Sequence, residues 1–162
     1  MKAIVVYDSQ FGNTEQVAQA IGQALAATAE VEMLRVTDAS PEQLVTADLL
    51  VVGSPTQRFT ATPATTNLLK GIPNDGLRGV KVAAFDTRFP ESEIDRVRIL
   101  AFFVKLFGYA AEPILKRLEK KGGEAVAAPE GFYVGETEGP LLEGELERAA
   151  AWAEQVQVTQ PG

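Results

Sequence analysis

Lys2-Ala3-Ile4-Val5-Val6-Tyr7-Asp8-Ser9-Gln10-Phe11-Gly12-Asn13-Thr14 is the stretch on which the fold turns. Its first half, Lys2 to Asp8, is a β-branched apolar run, the pattern of a strand buried on both faces. Ser9 to Thr14 then switches to short polar residues around a glycine. Beyond them Val17, Ile21, Ala24 and Leu25 recur at helical spacing, with Asn13 or Thr14 as the expected N-cap. A buried strand that passes through a tight polar turn into a helix is the opening of an α/β unit.

The rest of the chain repeats that alternation. Val31 to Val36 reads as a second strand, Pro41 to Val45 as a short helix and Asp48 to Gly53 as a third strand. Ser54 to Thr62 is polar and punctuated, and Pro63 suits the first turn of a helix that ends near Gly71. Val80 to Asp86 is a fourth strand. Glu124 to Val134 holds a fifth, with a break or bulge expected at Pro129 and Gly131. A last helix starts near Glu143 and is expected to carry Leu146, Ala149, Ala150, Ala153 and Val156 inward. Its early Glu143, Glu145 and Glu147 complement the positive helix N-terminus. Trp152, the single tryptophan, reads as a packing residue on that helix rather than a ligand contact. Five buried strands alternating with helical segments predict an α/β protein with a doubly wound, five-stranded parallel sheet. No internal repeat or linker divides it. We expect a single domain over residues 1–158 and a loose tail at 159–162.

Glu91 to Gly122 is longer than one crossover helix needs. Val97, Ile99, Leu100, Phe102, Phe103, Val104, Leu106 and Phe107 are apolar nearly all round a helix, and Gly108 and Pro113 are expected to break it before a second helix through Leu118. One reading is a buried crossover helix with an added turn. The other is an apolar surface for a partner, either a hydrophobic electron acceptor or a second subunit in a homodimer through residues 97–107.

The totals set limits on function. The 162 residues carry a net charge of −7, which argues against nucleic acid because a duplex binder needs a basic face. It argues equally against an anionic membrane surface. Cysteine and histidine are both absent from the sequence, which excludes disulfides, thiol nucleophiles, the usual zinc sites and a Ser-His-Asp triad. Met1 and Lys2 lead straight into a strand, without the three regions of a signal peptide. Ile99 to Phe107 is interrupted by Lys105 and is too short to span a bilayer. We therefore expect a cytoplasmic protein with no stable membrane insertion.

Ligands of such sheets bind outside the carboxyl ends of the strands. After the first strand, Gly12 permits a tight turn, and the following helix points free N–H groups and its positive dipole end at the loop. With the side chains of Ser9, Asn13 and Thr14 this makes an anion site that needs no Lys or Arg. After the third strand comes Ser54-Pro55-Thr56-Gln57-Arg58-Phe59-Thr60, and after the fourth Asp86-Thr87-Arg88-Phe89-Pro90. Each offers a hydroxyl, an Arg and a Phe.

The segment VVYDSQFGNTEQVA is similar to the phosphate loop of the flavodoxin family, whose usual form is Ser/Thr-x-Thr-Gly-Asn-Thr after the first strand. VVGSPTQRFTATP and KVAAFDTRFP resemble the two flavin-flanking loops of flavodoxin-like domains, and the likeness covers nearly the whole chain in element order. It implies strand order 2-1-3-4-5 and one flavin mononucleotide (FMN). Ser9, Gly12, Asn13 and Thr14 match the phosphate motif, and Gln10 at its variable position would contribute a backbone N–H. Phe11 departs from the usual Thr, which removes one hydroxyl contact; other flavodoxin-like proteins also place an aromatic there. Pro55, Thr56 and Gln57 fall where the ribityl chain and ring edge would lie. Phe59 and Phe89 would cover the isoalloxazine ring, against the alternative of aromatics tucked onto the domain. Asp86, Thr87, Arg58 and Arg88 complete the set. Either Arg58 and Arg88 sit near the ring edge, favouring an anionic reduced flavin and a less negative second potential, or they pair with Glu91, Glu93 or Asp95 in water. A phospho-acceptor receiver built on Asp8 is excluded, since the third strand ends in Gly53 and the fifth offers no Lys.

The implied function is electron transfer as an FMN-binding carrier, whose acidity suits a redox partner protein with a basic docking face. Two alternatives stand beside it. One is an FMN-dependent NAD(P)H oxidoreductase acting on a quinone or small acceptor; the other is a flavin-free relative that keeps the fold for interaction or regulation.

Overall fold

The alternation of buried strands and amphipathic helices folds as the sequence predicts, into a parallel sheet covered on both faces. The computed structural model describes residues 1–56, 60–88, 109–135 and 139–158. The expected apolar helix over 97–107, the residues Gln57, Arg58, Phe59 and Phe89, and the tail at 159–162 lie outside that set. The elements are β1 (Lys2–Tyr7), α1 (Asn13–Leu25), β2 (Glu30–Arg35), a single 3-10 turn (Val36–Asp38), α2 (Pro41–Leu44), β3 (Leu49–Pro55), α3 (Pro63–Lys70), β4 (Lys81–Arg88), α4 (Ala111–Lys120), β5 (Glu124–Ala125), β6 (Glu130–Tyr133) and α5 (Glu145–Val158). The strand order is β2-β1-β3-β4-β5, and β6 also pairs with β4. Every pairing between these strands is parallel.

Strand alternation sorts the core into two halves. Ile4, Val6, Leu50, Val52, Val82 and Ala84 face one side, where Leu44 of α2, Leu68 and Leu69 of α3 and Ile114, Leu115 and Leu118 of α4 cover them. Ala3, Val5, Leu49, Val51, Ala83 and Phe85 face the other, under Val17, Ile21 and Leu25 of α1 and Ala149, Trp152, Ala153 and Val156 of α5. Trp152 is a packing residue: with Phe85 and Phe132 it forms a triangle of edge-to-face rings, centroids 6.0–6.2 Å apart.

Several boundaries and faces differ from the sequence expectation, each for a local reason. The N-cap of α1 is Gly12, at φ 93°, so Asn13 and Thr14 already lie inside the helix. β2 is an edge strand and only half-buried, because it pairs on one side alone, with β1. β3 and β4 each run two residues further than the expected ends at Gly53 and Asp86, and the added pairing sets Ser54 beside Asp86 and Pro55 beside Thr87. The fifth strand is split: β5 pairs with Lys81 and Val82, β6 with Phe85 to Arg88. Pro129, which has no N–H to give the ladder, falls in the gap. Gly131 lies within β6 instead. Pro113 does not precede a helix but sits in the first turn of α4, where a missing N–H costs nothing. Leu146 is exposed rather than inward, and Ala150 is half-buried; the buried face of α5 is turned round the helix to run through Glu145, Ala149, Trp152, Ala153 and Val156.

Gly53 makes room for the aromatic triangle. A Cβ at that position would lie 2.0 Å from Cζ of Phe85, the residue beside it on β4. Gly53→Ala is therefore expected to cost about 1–3 kcal/mol through overpacking. Urea unfolding should show a lower midpoint with an unchanged slope.

Glu145 and Arg148 tie β6 to α5. The Glu145 carboxylate accepts from the Tyr133 amide at 2.7 Å and from Arg148 Nε and Nη2 at 3.0 and 2.7 Å. Arg148 also donates to the Gly131 carbonyl, pairs with Glu130 at 3.0 Å and lies over the Phe132 ring at 4.7 Å. Burial pushes the Glu145 carboxyl up, but the bonds from Arg148 and Tyr133 outweigh it and hold the group below the usual glutamate range. Its folded value lies below its unfolded one, so its stabilisation is present above the ordinary value of about 4.3 and lost as pH falls through the folded value. Glu145→Gln should flatten that part of the acid limb of a stability–pH curve measured by denaturant melts.

Candidate functional site

Among the described residues, the polar side chains buried at the carboxyl edge of the sheet are Ser9, Asn13, Thr14, Ser54, Thr62, Thr65, Asp86 and Thr87. They come from the ends of β1, β3 and β4 and the starts of α1 and α3, and hydrogen bonds link most of them.

The loop after β1 is closed by the Ser9 hydroxyl, which accepts from the amides of Gly12 at 3.0 Å and Glu15 at 3.3 Å. A hydroxyl has two lone pairs and one hydrogen, so with both lone pairs engaged its remaining capacity is donation. Gly12 supplies the left-handed backbone that brings its amide onto Ser9. Open space lies where a Cβ would stand, so conformation alone calls for glycine there. Gln10 and Phe11 are exposed at the loop tip, and Asn13 is buried with its side chain packed beside Gly139. Thr14 is turned to the sheet, its hydroxyl 2.9 Å from that of Thr87. The structure thus joins two of the predicted loops directly.

Asp8, which the anion-site reading left unused, braces the loop from behind. Its carboxylate accepts from the Ser9 amide at 2.9 Å and from the Thr62 hydroxyl at 2.5 Å. Thr62 is the N-cap of α3, its oxygen accepting from the Thr65 amide, and its own amide donates to the Ser54 hydroxyl at 3.1 Å. The polar residue before Pro63 was a legible cap signal; its bond back to Asp8 was not.

The third group centres on β4. Thr56 donates its amide to the Thr87 carbonyl at 3.0 Å, and its hydroxyl accepts from the Ala110 amide at 3.2 Å. Pro55, half-buried, pairs beside Thr87 in the sheet. Asp86 is fully buried; it accepts from Arg88 Nε and Nη2 at 2.6 and 2.7 Å and from the Ala111 amide at 2.8 Å. The Arg88 guanidinium lies 3.7 Å from the centroid of the Tyr109 ring. Burial works against the Arg88 charge, but the hydrogen bonds and charge of Asp86 outweigh it and hold the group above its ordinary value. Arg88 therefore reaches neither free solvent nor an unmatched position: its charge is balanced by a neighbour two residues back. Strand period readily places i and i+2 on one face, so the Asp86-Thr87-Arg88 spacing carried this signal.

The site can thus offer an anion the donating hydroxyl of Ser9 and the positive end of α1, flanked by Thr56 and Thr87 at the neighbouring strand ends. Among the described residues no group of carboxylates could hold a metal ion, and no helix is long and apolar enough to cross a membrane.

Breaking the buried pair at its acidic end should be costly. Asp86→Asn is expected to destabilise by roughly 3–5 kcal/mol, because it strands a desolvated guanidinium. The double change Asp86→Asn with Arg88→Met should recover part of that loss in the same chemical-denaturation measurement.

Comparison with known proteins places this edge in context. The sequence profile of the flavodoxin family matches residues 5–152. Oxidised Flavodoxin 1 from Bacillus cereus is 16% identical with a TM-score of 0.77, covering 99% of this chain and 100% of its own. Oxidised Flavodoxin 2 from Bacillus cereus is 22% identical, TM-score 0.75, with 99% and 100% covered. Rubredoxin oxygen:oxidoreductase from Desulfovibrio gigas is 18% identical with a TM-score of 0.71; the match spans 98% of this chain but 36% of that one. A search of the curated proteins by sequence finds no match.

Proposed function

The chain belongs to the flavodoxin family, and from that premise we propose that it binds FMN and carries electrons between redox proteins. The observation that carries the cofactor assignment is the Ser9 hydroxyl, with both lone pairs taken by the Gly12 and Glu15 amides at the start of α1. A phosphate set against this loop would meet the donating Ser9 hydroxyl, backbone N–H groups of the loop other than those of Gly12 and Glu15, and the positive end of the helix. Phe11 brings no hydroxyl, and Thr14 directs its own toward Thr87, so the loop depends on backbone donors and Ser9.

Bound FMN supplies the redox chemistry; the protein contributes binding, orientation and electrostatics. Ser9, Gly12 and Asn13 would hold the phosphate end, and Pro55, Thr56 and Thr87 would line the approach from it toward the ring. Gln57, Arg58, Phe59 and Phe89 are proposed to border the ring. Asp86 balances Arg88, so this pair adds little net charge to the flavin's surroundings; any shift of potential by a nearby cation rests on Arg58. A chain without His or Cys needs no acid, base or nucleophile for this role. The net charge of −7 supports a redox partner that docks through a basic face.

The purified protein should be yellow, or turn so when FMN is added. Fluorescence titration of the apoprotein should give one FMN per chain, with riboflavin bound at least about tenfold more weakly for want of the charge-assisted bonds to phosphate. Ser9→Ala should cost FMN roughly tenfold, the order of one hydrogen bond to a charged group, and leave riboflavin nearly unchanged. A colourless protein that takes up no FMN overturns the assignment. Rapid bleaching of the bound flavin by NADH or NADPH alone would replace the carrier with a reductase.

A further inference from the structure

The anion loop carries two carboxylates, Asp8 at its start and Glu15 in the first turn of α1. An acidic residue in a first helical turn normally complements the helix dipole, but here a phosphate is to sit at the same helix end, and like charges in one place oppose binding. Asp8 is spoken for by the Ser9 amide and the Thr62 hydroxyl. Glu15 is answered by Arg35, the last residue of β2, whose Nη2 lies 2.9 Å from its Oε2.

Arg35 makes two further contacts. Its Nη1 donates to the Ser9 carbonyl at 3.4 Å, and its guanidinium lies over the Tyr7 ring, 5.6 Å from the centroid. Tyr7 and Arg35 are register partners on β1 and β2, so the sheet itself sets the arginine beside the loop. Ser9 is thereby fixed at three points: amide on Asp8, carbonyl on Arg35, hydroxyl on Gly12 and Glu15.

We infer that Arg35 is a positioning residue of the phosphate site: it neutralises Glu15 and holds the Ser9 peptide, so that an anion can approach the start of α1. The inference rests on the proposed binding of FMN. Arg35 and Glu15 are both substantially exposed, at 39% and 32%, so their pair adds little to folding. Its effect falls instead on ligands that bring negative charge to the loop.

The test is a comparison of FMN and riboflavin binding to the apoprotein by flavin fluorescence, in Arg35→Met, Glu15→Gln and the double variant. Arg35→Met should weaken FMN by about fivefold, the span of one exposed ion pair, while riboflavin stays within about twofold. The deficit should shrink as salt is raised. Glu15→Gln should leave FMN as tight as in the wild type or tighter, and the double variant should bind FMN more tightly than Arg35→Met but short of the wild type, the remainder being the lost hold on the Ser9 carbonyl. Inorganic phosphate should raise the melting temperature of the wild-type apoprotein more than that of Arg35→Met. Equal weakening of FMN and riboflavin in Arg35→Met, or a double variant as weak as that single one, would overturn the inference. If the wild type takes up no FMN, the cofactor assignment fails, and the phosphate melting series alone decides the role of Arg35.

Discussion

Parallel strands covered on both faces leave a chain only the strand ends for polar chemistry. Here Ile4, Val6, Leu50, Val52 and Val82 fill one face and Ala3, Val5, Leu49, Val51 and Phe85 the other. Neither face has room for an unsatisfied polar group. Ser54, Asp86 and Thr87 appear only where β3 and β4 outrun their apolar runs, and each of them has a hydrogen-bond partner. The site is the place where the sheet stops being apolar but has not yet stopped being a sheet.

That constraint explains why the edge is held by a network rather than by independent loops. Asp8 reaches α3 through Thr62, Thr14 reaches β4 through Thr87, and Asp86 reaches α4 through the Ala111 amide. A buried network of this kind fixes geometry when all its members are satisfied. The Asp86–Arg88 pair follows the same logic. Its worth lies less in net stabilisation than in the penalty for losing either partner, and it anchors β4 to the segment that enters α4.

Electrostatics near the anion loop are set by compensation. The protein is acidic, yet Arg35, Arg88 and Arg148 each stand against a carboxylate and over an aromatic ring. Arginine suits that double duty because its guanidinium is flat, permanently charged and able to fork onto a carboxylate. Thus the arginines contribute local order within a chain whose net charge is −7.

The sequence by itself determined the element order, the two-faced sheet and the glycine turn between β1 and α1, because each of these is written in local periodicity and local turn chemistry. The apolar run of Lys2 to Tyr7, the glycine at position 12 and the spacing of Val17, Ile21 and Leu25 act on their immediate neighbours. The break in the fifth strand was legible for the same reason, through Pro129. What only the tertiary structure decided is how separate segments share the edge. Thr14 turns to Thr87, Asp8 to Thr62 and Arg35 to Glu15, across separations of 73, 54 and 20 residues. The buried face of α5 likewise runs through Trp152, whose ring packs against Phe85 and Phe132, and leaves Leu146 exposed. Such pairings carry no local signal, since they exist only once parallel pairing has brought the strand ends level.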